Sequence, residues 1–311
     1  MEEILKYTLC HGSGNRFVMV DGVAQEGLLQ RIDLGELARQ VGYDGLLVVA
    51  REEGDYAMQM YNSDGTRAEM CGNGIRCVAR WVREHYTEQG DFTLRSGGRC
   101  YPIACEDPIH GDLPTFGVEI EVRRSGSDFP RGGESFLAQP IAELASGVEF
   151  SYLNLGNPHI VARVQQIDYS LLEELGERIK RLPEWFPRGI NLSFFTLEGQ
   201  QRIFVATYER GVGLTESCGT AMTASATAAT LLGLTQEGEE IEVMNRGGMV
   251  RCCCQITEQG IRTRLVGNAS YESHGEILCQ EGRFGLSPKG EFQEEIKAYR
   301  AFLKALQEKR V

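Results

Sequence analysis

The chain has 311 residues, of which 42% are hydrophobic and 24% are charged, the balance of a globular protein long enough for two domains. Its formal net charge of −12 at pH 7 argues against a nucleic-acid partner, because the phosphate backbone would be repelled. No apolar run approaches the length of a membrane span, and the N-terminus lacks the basic and apolar regions of a signal peptide. We therefore expect a cytoplasmic protein that binds neither nucleic acid nor a membrane.

The ten cysteines are scattered along the chain and include no C-x-x-C pair, so we expect neither a disulfide scaffold nor a zinc site. The run from Cys252 to Cys254 lies in a segment, Val250–Ile256, that is typical of a strand with alternate residues on opposite faces. We predict no metal ion, and a reducing compartment fits this cysteine pattern.

Short apolar runs in the first half of the chain predict a sheet with few helices. A strand at Tyr7–Cys10 leads into a glycine-rich loop, His11–Phe17, after which the strand continues. Asp33 is placed to cap a short helix that ends at Gly42. Further strands are predicted at Leu46–Ala50, Tyr56–Asn62, Phe92–Leu94 and Phe116–Val122.

The stretch that begins at Met70 is the most informative part of the first half. Cys71 is followed by Gly-Asn-Gly and then by a predicted helix whose apolar residues fall on one face, namely Ile75, Val78, Ala79 and Val82. A cysteine at a helix start faces the positive end of the helix dipole and unsatisfied backbone N–H groups, which favour the thiolate and bind anions. Although an arbitrary cysteine is more often a packing residue, this setting predicts a reactive site.

The second half of the chain repeats this plan. Ser217-Cys218-Gly219-Thr220-Ala221 opens a second helical run, rich in Ala and Thr, that continues to Leu232. We therefore interpret the chain as an internal duplication in which Cys71 and Cys218 act as a pair. The other predicted elements of this half are a helix at Leu171–Lys180 and strands at Tyr152–Leu155, Ile160–Val164, Asn191–Leu197, Arg202–Tyr208, Ile241–Met244, Val250–Ile256 and Ile261–Val266.

Two segments bear on domain organisation. The polar, glycine-rich stretch Arg123–Glu134 is the best candidate for a boundary. The tail from Glu291 to Val311 carries apolar residues on one face, as an amphipathic helix does. We expect this helix to pack on its own domain, with a homodimer contact as the alternative. The predicted domains are 1–124 with 270–311, carrying Cys71, and 125–269, carrying Cys218.

Several motifs, in order, resemble those of the diaminopimelate epimerase family, and the resemblance covers residues from about Tyr7 to about Tyr271. They are residues 11–17 (HGSGNRF), 62–65 (NSDG), 70–77 (MCGNGIRC), 156–159 (GNPH), 209–213 (ERGVG) and 217–220 (SCGT). The resemblance implies an α/β fold of two pseudo-symmetric domains, each a curled, mostly antiparallel sheet around a central helix, with an amino-acid substrate in the cleft between them. It also implies interconversion of LL- and meso-diaminopimelate, for lysine and peptidoglycan synthesis, without pyridoxal phosphate or a metal.

The chemistry of the two cysteines agrees with this implication. Inverting a carbon requires a proton to leave one face and another to arrive on the opposite face, which suits one thiolate and one thiol. Backbone amides of Gly72-Asn73 and Gly219-Thr220, at the two helix starts, would hold the negative charge on the carboxylate of the substrate.

The resemblance assigns further roles to matching positions. His159 and Glu209 resemble the polar groups beside the thiols, which help to set their protonation. The distal amino-acid end of the substrate would be held by Arg210, through its bidentate guanidinium, and by four asparagines. These asparagines are Asn15, Asn62, Asn157 and Asn191.

Departures from the family pattern leave other functions open. Arg16 stands where the family usually has Asp, Leu214 where Glu is usual, and Ala221 where Gly is usual. A racemase of the same mechanism for another amino acid, such as histidine, is therefore the nearest alternative. A dithiol redox protein, which no C-x-x-C motif supports, and a catalytically silent binding protein are the others.

Overall fold

The computed structural model describes residues 3–308 with the exception of 132 and 134. The end of the predicted boundary stretch, Glu134, and the last residues of the predicted tail helix, 309–311, therefore lie outside the described residues. The chain forms two compact units, of which unit 1 comprises Met1–Val118 with Val266–Val311 and unit 2 comprises Glu119–Leu265.

Helices separate runs of consecutive strands along the described part of the chain. In chain order they are β1 (Glu3–Gly12), β2 (Asn15–Asp21), α1 (Glu26–Leu29), α2 (Leu34–Val41), β3 (Gly45–Glu52), β4 (Asp55–Asn62), β5 (Arg67–Ala68), α3 (Gly72–His85), β6 (Asp91–Ser96), β7 (Arg99–Glu106), β8 (Thr115–Val122), β9 (Gln139–Ile141), β10 (Ala145–Asn154), β11 (Pro158–Arg163), α4 (Tyr169–Ile179), β12 (Asn191–Gly199), β13 (Arg202–Glu209), β14 (Gly213–Thr215), α5 (Gly219–Leu231), β15 (Glu240–Met244), β16 (Met249–Thr257), β17 (Gly260–Asn268), β18 (Ser270–Gln280), β19 (Arg283–Glu291) and α6 (Gln293–Glu308). The boundaries between the two units fall within β8 and β17.

The strands of unit 1 pair in the order β19-β18-β1-β2-β3-β4-β6-β7-β8. Neighbours are antiparallel except for β2 with β3 and β4 with β6, which are parallel. Parallel neighbours need a crossover connection, and here the two crossovers contain α2 and α3. The short strand β5 pairs antiparallel with β4.

Unit 2 has the strand order β10-β11-β12-β13-β15-β16. Its parallel pairs are β11 with β12 and β13 with β15, and their crossovers contain α4 and α5. The short strand β14 pairs antiparallel with β13, just as β5 pairs with β4 in unit 1. The predicted α/β class and internal duplication are therefore confirmed, since the same succession of antiparallel and parallel steps occurs in both units.

The two cysteine-led helices are the buried helices of their units. The predicted apolar face of α3, formed by Ile75, Val78, Ala79 and Val82, is fully buried against the sheet. In α5 every residue from Gly219 to Thr230 is buried. Because its side chains are mostly Ala, Thr and Ser, this helix is enclosed on all sides without large apolar groups.

The boundaries of α2 follow from local capping. The side chain of Asp33 accepts a hydrogen bond from the backbone N of Glu36 at 3.0 Å, as predicted for an N-cap. The helix ends where Gly42 adopts the left-handed conformation, with φ of 76°.

The tail helix α6 packs on unit 1. Glu295 accepts hydrogen bonds of 2.6 and 2.8 Å from the guanidinium of Arg80 on α3. The ring of Tyr299 lies edge-on to His11 of β1, with 4.3 Å between centroids. These contacts connect the tail to α3, the helix that follows Cys71, and to β1.

The predicted loop at His11–Phe17 is wrong. β1 continues to Gly12, β2 begins at Asn15, and the strands are joined by a two-residue turn in which Ser13 and Gly14 have φ of 52° and 83°. Gly12 does not mark a flexible loop, since a Cβ atom there would lie 2.9 Å from the carbonyl oxygen of Asn73. This glycine permits close packing of the hairpin on the start of α3.

Strands β7, β18 and β19 were not predicted. β18 is rich in polar residues, so its sequence has little apolar alternation, yet it forms a long antiparallel ladder with β1, from Glu3↔Cys279 to His11↔Ser270. Among the described residues, no helix combines the length and the apolar character needed to cross a membrane.

Candidate active site

Cys71 lies at the N-cap of α3, as predicted. Its backbone is extended, with φ of −140° and ψ of 111°, and its Sγ accepts a hydrogen bond from the N of Gly74 at 3.3 Å. The first intrahelical bond runs from Ile75 N to the carbonyl of Cys71 at 2.9 Å. The amides of Gly72 and Asn73 therefore belong to the first turn, where N–H groups have no acceptor within the helix.

The β1–β2 hairpin supports this turn from behind. Asn73 is fully buried, and its Nδ2 donates to Oδ1 of Asn15 at 3.3 Å. Two predicted substrate-binding residues of unit 1 are thus in direct contact. The close approach of Gly12 to Asn73 keeps the hairpin and the helix start together.

Arg76 supports the helix start that follows Cys71, although its sequence pattern did not single it out. Its side chain is 0% exposed. The guanidinium donates to the carbonyl of Gly72 at 2.8 Å and to Oδ1 of Asn73 at 3.1 Å. It also donates to Oγ of Ser13 and to the carbonyl of Asn268, both at 3.2 Å. The sequence offered one signal of this role. Arg76 lies one helical turn after Gly72, so its side chain is placed near the Gly72 carbonyl.

Asn62 is placed differently from Asn15. It ends β4, and its Nδ2 donates to Oγ1 of Thr66 at 3.0 Å. Its backbone carbonyl accepts from Gly65 N at 2.8 Å, which closes a turn over residues 62–65. The hydrogen bonds described for Asn62 therefore stabilise this turn, and none of them joins it to the asparagines beside Cys71.

Cys218 lies at the N-cap of α5, with φ of −128° and ψ of 108°, nearly the same backbone conformation as that of Cys71. Its side chain is largely buried, and its Sγ lies 3.5 Å from Oγ1 of Thr220. The first intrahelical bond runs from Met222 N to the Cys218 carbonyl at 3.0 Å. The first-turn amides again include the pair predicted to bind a carboxylate, Gly219 and Thr220.

His159, Asn157 and Thr220 form one buried network beside this sulfur. Nε2 of His159 lies 3.1 Å from both Oδ1 of Asn157 and Oγ1 of Thr220. Nδ2 of Asn157 donates to Oγ1 of Thr220 at 3.1 Å. Burial, with a smaller effect of the Arg210 charge, lowers the pKa of His159 to about 3, so its imidazole is neutral near pH 7. His159 is therefore a neutral hydrogen-bonding group in this network.

Asn191 and Arg210 are also brought together. Oδ1 of Asn191 accepts from the backbone N of Arg210 at 2.9 Å, and the guanidinium of Arg210 donates to the carbonyl of Arg188 at 2.9 Å. Glu209, the preceding residue, accepts a hydrogen bond from the hydroxyl of Thr215 at 2.7 Å. Thr215 was not predicted as a site residue, although it follows the motif at residues 209–213.

Each unit thus presents a sulfur and first-turn amides at the start of a buried helix. Such a sulfur can act as an acid or a base, and the amides can stabilise a carboxylate on which charge develops. In the part of the chain that the structure describes, no group of three or more His, Cys, Asp and Glu side chains is arranged to hold a metal ion.

His11 is a second buried histidine with a perturbed pKa. Burial lowers its pKa to about 3, and the positive charges of Arg16 and Arg76 contribute in the same direction. Its Nδ1 accepts from the backbone N of Gly14 at 3.3 Å, so the neutral ring also stabilises the hairpin turn.

The pKa of His11 leads to a prediction about pH and stability. A folded-state pKa below the ordinary value of about 6.5 means that the unfolded chain binds the proton more tightly. The contribution of neutral His11 to the free energy of unfolding is therefore fully present above pH 6.5 and is lost as the pH falls towards 3. We expect His11→Asn to cost about 2 kcal/mol less at pH 5 than at pH 7, measured as the free energy of unfolding in urea. An equal cost of His11→Asn at both pH values would contradict the prediction.

Comparison with known proteins places the chain in a family. The family model described as diaminopimelate epimerase matches residues 7–109 and 151–271. The diaminopimelate epimerase of Clostridium acetobutylicum is 31% identical, over 94% of this chain and 92% of that protein. The one from Ligilactobacillus salivarius is 35% identical, over 95% of this chain and 98% of its own length.

Solved structures show the same fold at low sequence identity. A phenazine biosynthesis protein of the PhzF family from Bacillus anthracis superposes with a TM-score of 0.66 at 15% identity, covering 89% of this chain and all of that one. A hydroxyproline epimerase from Agrobacterium vitis superposes with a TM-score of 0.65 at 13% identity, and the match covers 88% of this chain and 91% of that one. The resemblance inferred from the cysteine motifs is confirmed by the sequence relatives, and the chain belongs to the diaminopimelate epimerase family.

Proposed function

We propose that this protein interconverts LL-2,6-diaminopimelate and meso-diaminopimelate, and so supplies precursors of lysine and peptidoglycan. The observation that carries the proposal is the repeated placement of a cysteine at the N-cap of the buried helix of each unit, in a chain of this family. In the proposed reaction one sulfur, as thiolate, takes the α-proton from one face of the carbon. The other, as thiol, gives a proton to the opposite face.

The first-turn amides of α3 and α5 provide the second part of the proposal. As the α-proton leaves, negative charge develops on the α-carboxylate, and preorganised N–H donors at helix starts stabilise such charge. Because these donors are fixed by the backbone, they need no reorganisation during the reaction. We assign this role to the amides of Gly72 and Asn73, and of Gly219 and Thr220.

The distal end of the substrate carries a second amino and carboxylate group. We assign its carboxylate to Arg210, which the Asn191 side chain and the Arg188 carbonyl hold in place. Asn15, Asn62 and Asn157 complete the proposed distal set. The cytoplasm is the proposed compartment, since buried thiols such as Cys10 and Cys77 are typical of reducing conditions.

An exchange experiment in deuterated water tests the function. Purified protein incubated with LL-diaminopimelate should introduce deuterium at the α-carbon and produce the meso isomer, followed by NMR and chiral chromatography. L-Lysine, which lacks the distal carboxylate, is the matched control and should not exchange. Exchange of L-histidine without exchange of diaminopimelate would overturn the substrate and favour the racemase alternative. No exchange with any amino acid of the panel would overturn the epimerase itself.

A further inference from the structure

The sulfur of Cys218 lies close to a side-chain hydroxyl, a contact that the duplication does not require. The Cys71 sulfur accepts a backbone N–H, from Gly74. The Cys218 sulfur lies 3.5 Å from a side-chain hydroxyl, that of Thr220. The residue equivalent to Thr220 in unit 1 is Asn73, two residues after its cysteine, and the side chain of Asn73 bonds to Asn15 and Arg76.

The proton of the His159 ring can be placed from the surrounding groups. Nε2 lies 3.1 Å from Oδ1 of Asn157, which can only accept, so the proton belongs on Nε2. Nδ1 is buried and has no hydrogen-bond partner among the described residues. A proton on Nδ1 would leave a buried donor unsatisfied, which costs more free energy than an unsatisfied lone pair. Both observations select the same tautomer.

The Nε2–H tautomer, which the buried Nδ1 supports independently, agrees with the orientation of the Asn157 amide. Its Oδ1 accepts from His159, and its Nδ2 therefore points to Oγ1 of Thr220, 3.1 Å away. Nε2 of His159 lies equally close to that oxygen. Nδ2 of Asn157 donates to this oxygen, and the single Nε2 proton of His159 is shared between it and Oδ1 of Asn157, so the Thr220 oxygen acts as an acceptor towards both residues. The hydroxyl hydrogen is left to point towards the nearby acceptor, the sulfur of Cys218.

We propose that the hydroxyl of Thr220 donates a hydrogen bond to the Cys218 thiolate and stabilises it, while Asn157 and His159 hold the hydroxyl in the donating orientation. Thr220 is then a catalytic residue through its side chain as well as through its amide, because the hydroxyl touches a reacting atom. Only the effect of this hydrogen bond on catalysis rests on the function proposed above. The ionisation of Cys218 itself is measurable without any substrate.

The experiment measures how fast iodoacetamide alkylates Cys218 as a function of pH, with peptide mass spectrometry to resolve each cysteine. Thr220→Val keeps the backbone amide and the side-chain shape but removes the hydroxyl. A charge-assisted hydrogen bond to the thiolate predicts an upward shift of the alkylation midpoint of Cys218 by about one pH unit. Thr220→Ser restores the hydroxyl and should restore the midpoint. The exposed Cys100 in the same digest is the internal reference.

Thr230→Val is the matched control variant. Thr230 is a buried threonine of the same helix, and its hydroxyl bonds to the carbonyl of Ala226 and to Thr235, far along the helix from the sulfur. It should leave the Cys218 midpoint unchanged. If Thr220→Val does not fold, as judged by circular dichroism, Thr220→Ala provides the same test.

Activity measurements separate this proposal from the proposed function. In an active enzyme, Thr220→Val should lower kcat/KM about tenfold at pH 7 and shift the acid limb of the pH profile upwards by about one unit. An unchanged Cys218 midpoint in a folded variant overturns the role of the hydroxyl, whether or not the wild-type protein epimerises diaminopimelate. An inactive wild-type protein with a shifted midpoint overturns the function and leaves the hydrogen bond standing.

Discussion

Replacing either Cys71 or Cys218 by serine should reduce epimerisation by about 10³-fold or more, because each face of the carbon needs its own acid or base. A serine hydroxyl is a far weaker acid than a thiol, so it supplies neither a usable base nor an efficient donor near pH 7. The double variant should be no worse than either single variant, since the two sulfurs act as one unit. The rate of meso-diaminopimelate formation from the LL isomer is the measurement.

The control for this prediction is another cysteine of unit 1. Cys100 is exposed on β7, and Cys100→Ser should keep the wild-type rate within about twofold, as surface substitutions away from a site usually do. An activity above one tenth of wild type in either Cys71→Ser or Cys218→Ser would contradict the two-base reaction. It would favour a mechanism in which one group serves both faces.

Arg76→Met should destabilise unit 1 by about 3–5 kcal/mol, because it leaves several buried neutral acceptors without a donor, at about 1–3 kcal/mol each when none relaxes. Methionine fills the space of the arginine stem but donates no hydrogen bond. The carbonyls of Gly72 and Asn268, with Oδ1 of Asn73 and Oγ of Ser13, would each lose a donor inside the unit. Arg76→Lys keeps the charge but not the planar fork, so it should fall between wild type and Arg76→Met.

The two tryptophans of the chain allow this measurement to be made on one unit. Trp81 lies in unit 1 and Trp185 in unit 2, so fluorescence in a Trp185→Phe background reports the urea unfolding of unit 1. Arg83→Met is the control on the same helix, since Arg83 is only half-buried and bonds to the carbonyl of Thr87. It should cost less than about 1 kcal/mol. An equal cost for the two substitutions would show that the network around Arg76 contributes no special stability.

The starts of α3 and α5 could be predicted because their signals are local. In α3 a cysteine and small residues precede a 3.6-residue apolar repeat, and in α5 they precede a run of Ala and Thr, so each signal lies within a few residues of chain. The caps of α2 at Asp33 and Gly42 were predicted for the same reason. The duplication was visible because both halves carry such a signal at equivalent places.

Strand pairing depends on residues that are far apart in the sequence. The wrong or missing predictions concern such strands. The glycines of residues 11–17 predicted a loop, whereas the structure uses Gly12 for close packing on Asn73 and Gly14 for a two-residue turn. β18 shows little alternation of its own, and its place in the sheet is decided by β1, a partner more than 250 residues away. A strand of this kind is stabilised by its neighbour more than by its own composition.

The sequence by itself was enough to place the two cysteines and the amides after them at helix starts, and so to propose them for the chemistry, because residue type and helix position are local properties. Only the tertiary structure decided how these residues are held. Two of the acceptors of Arg76 belong to Ser13 and Asn268, and the partners of Thr220 belong to Asn157 and His159, all of them about 60 residues or more away along the chain. Hydrogen bonds between distant segments form only after the sheet has buried them together, because water satisfies the same groups equally well in an unfolded chain.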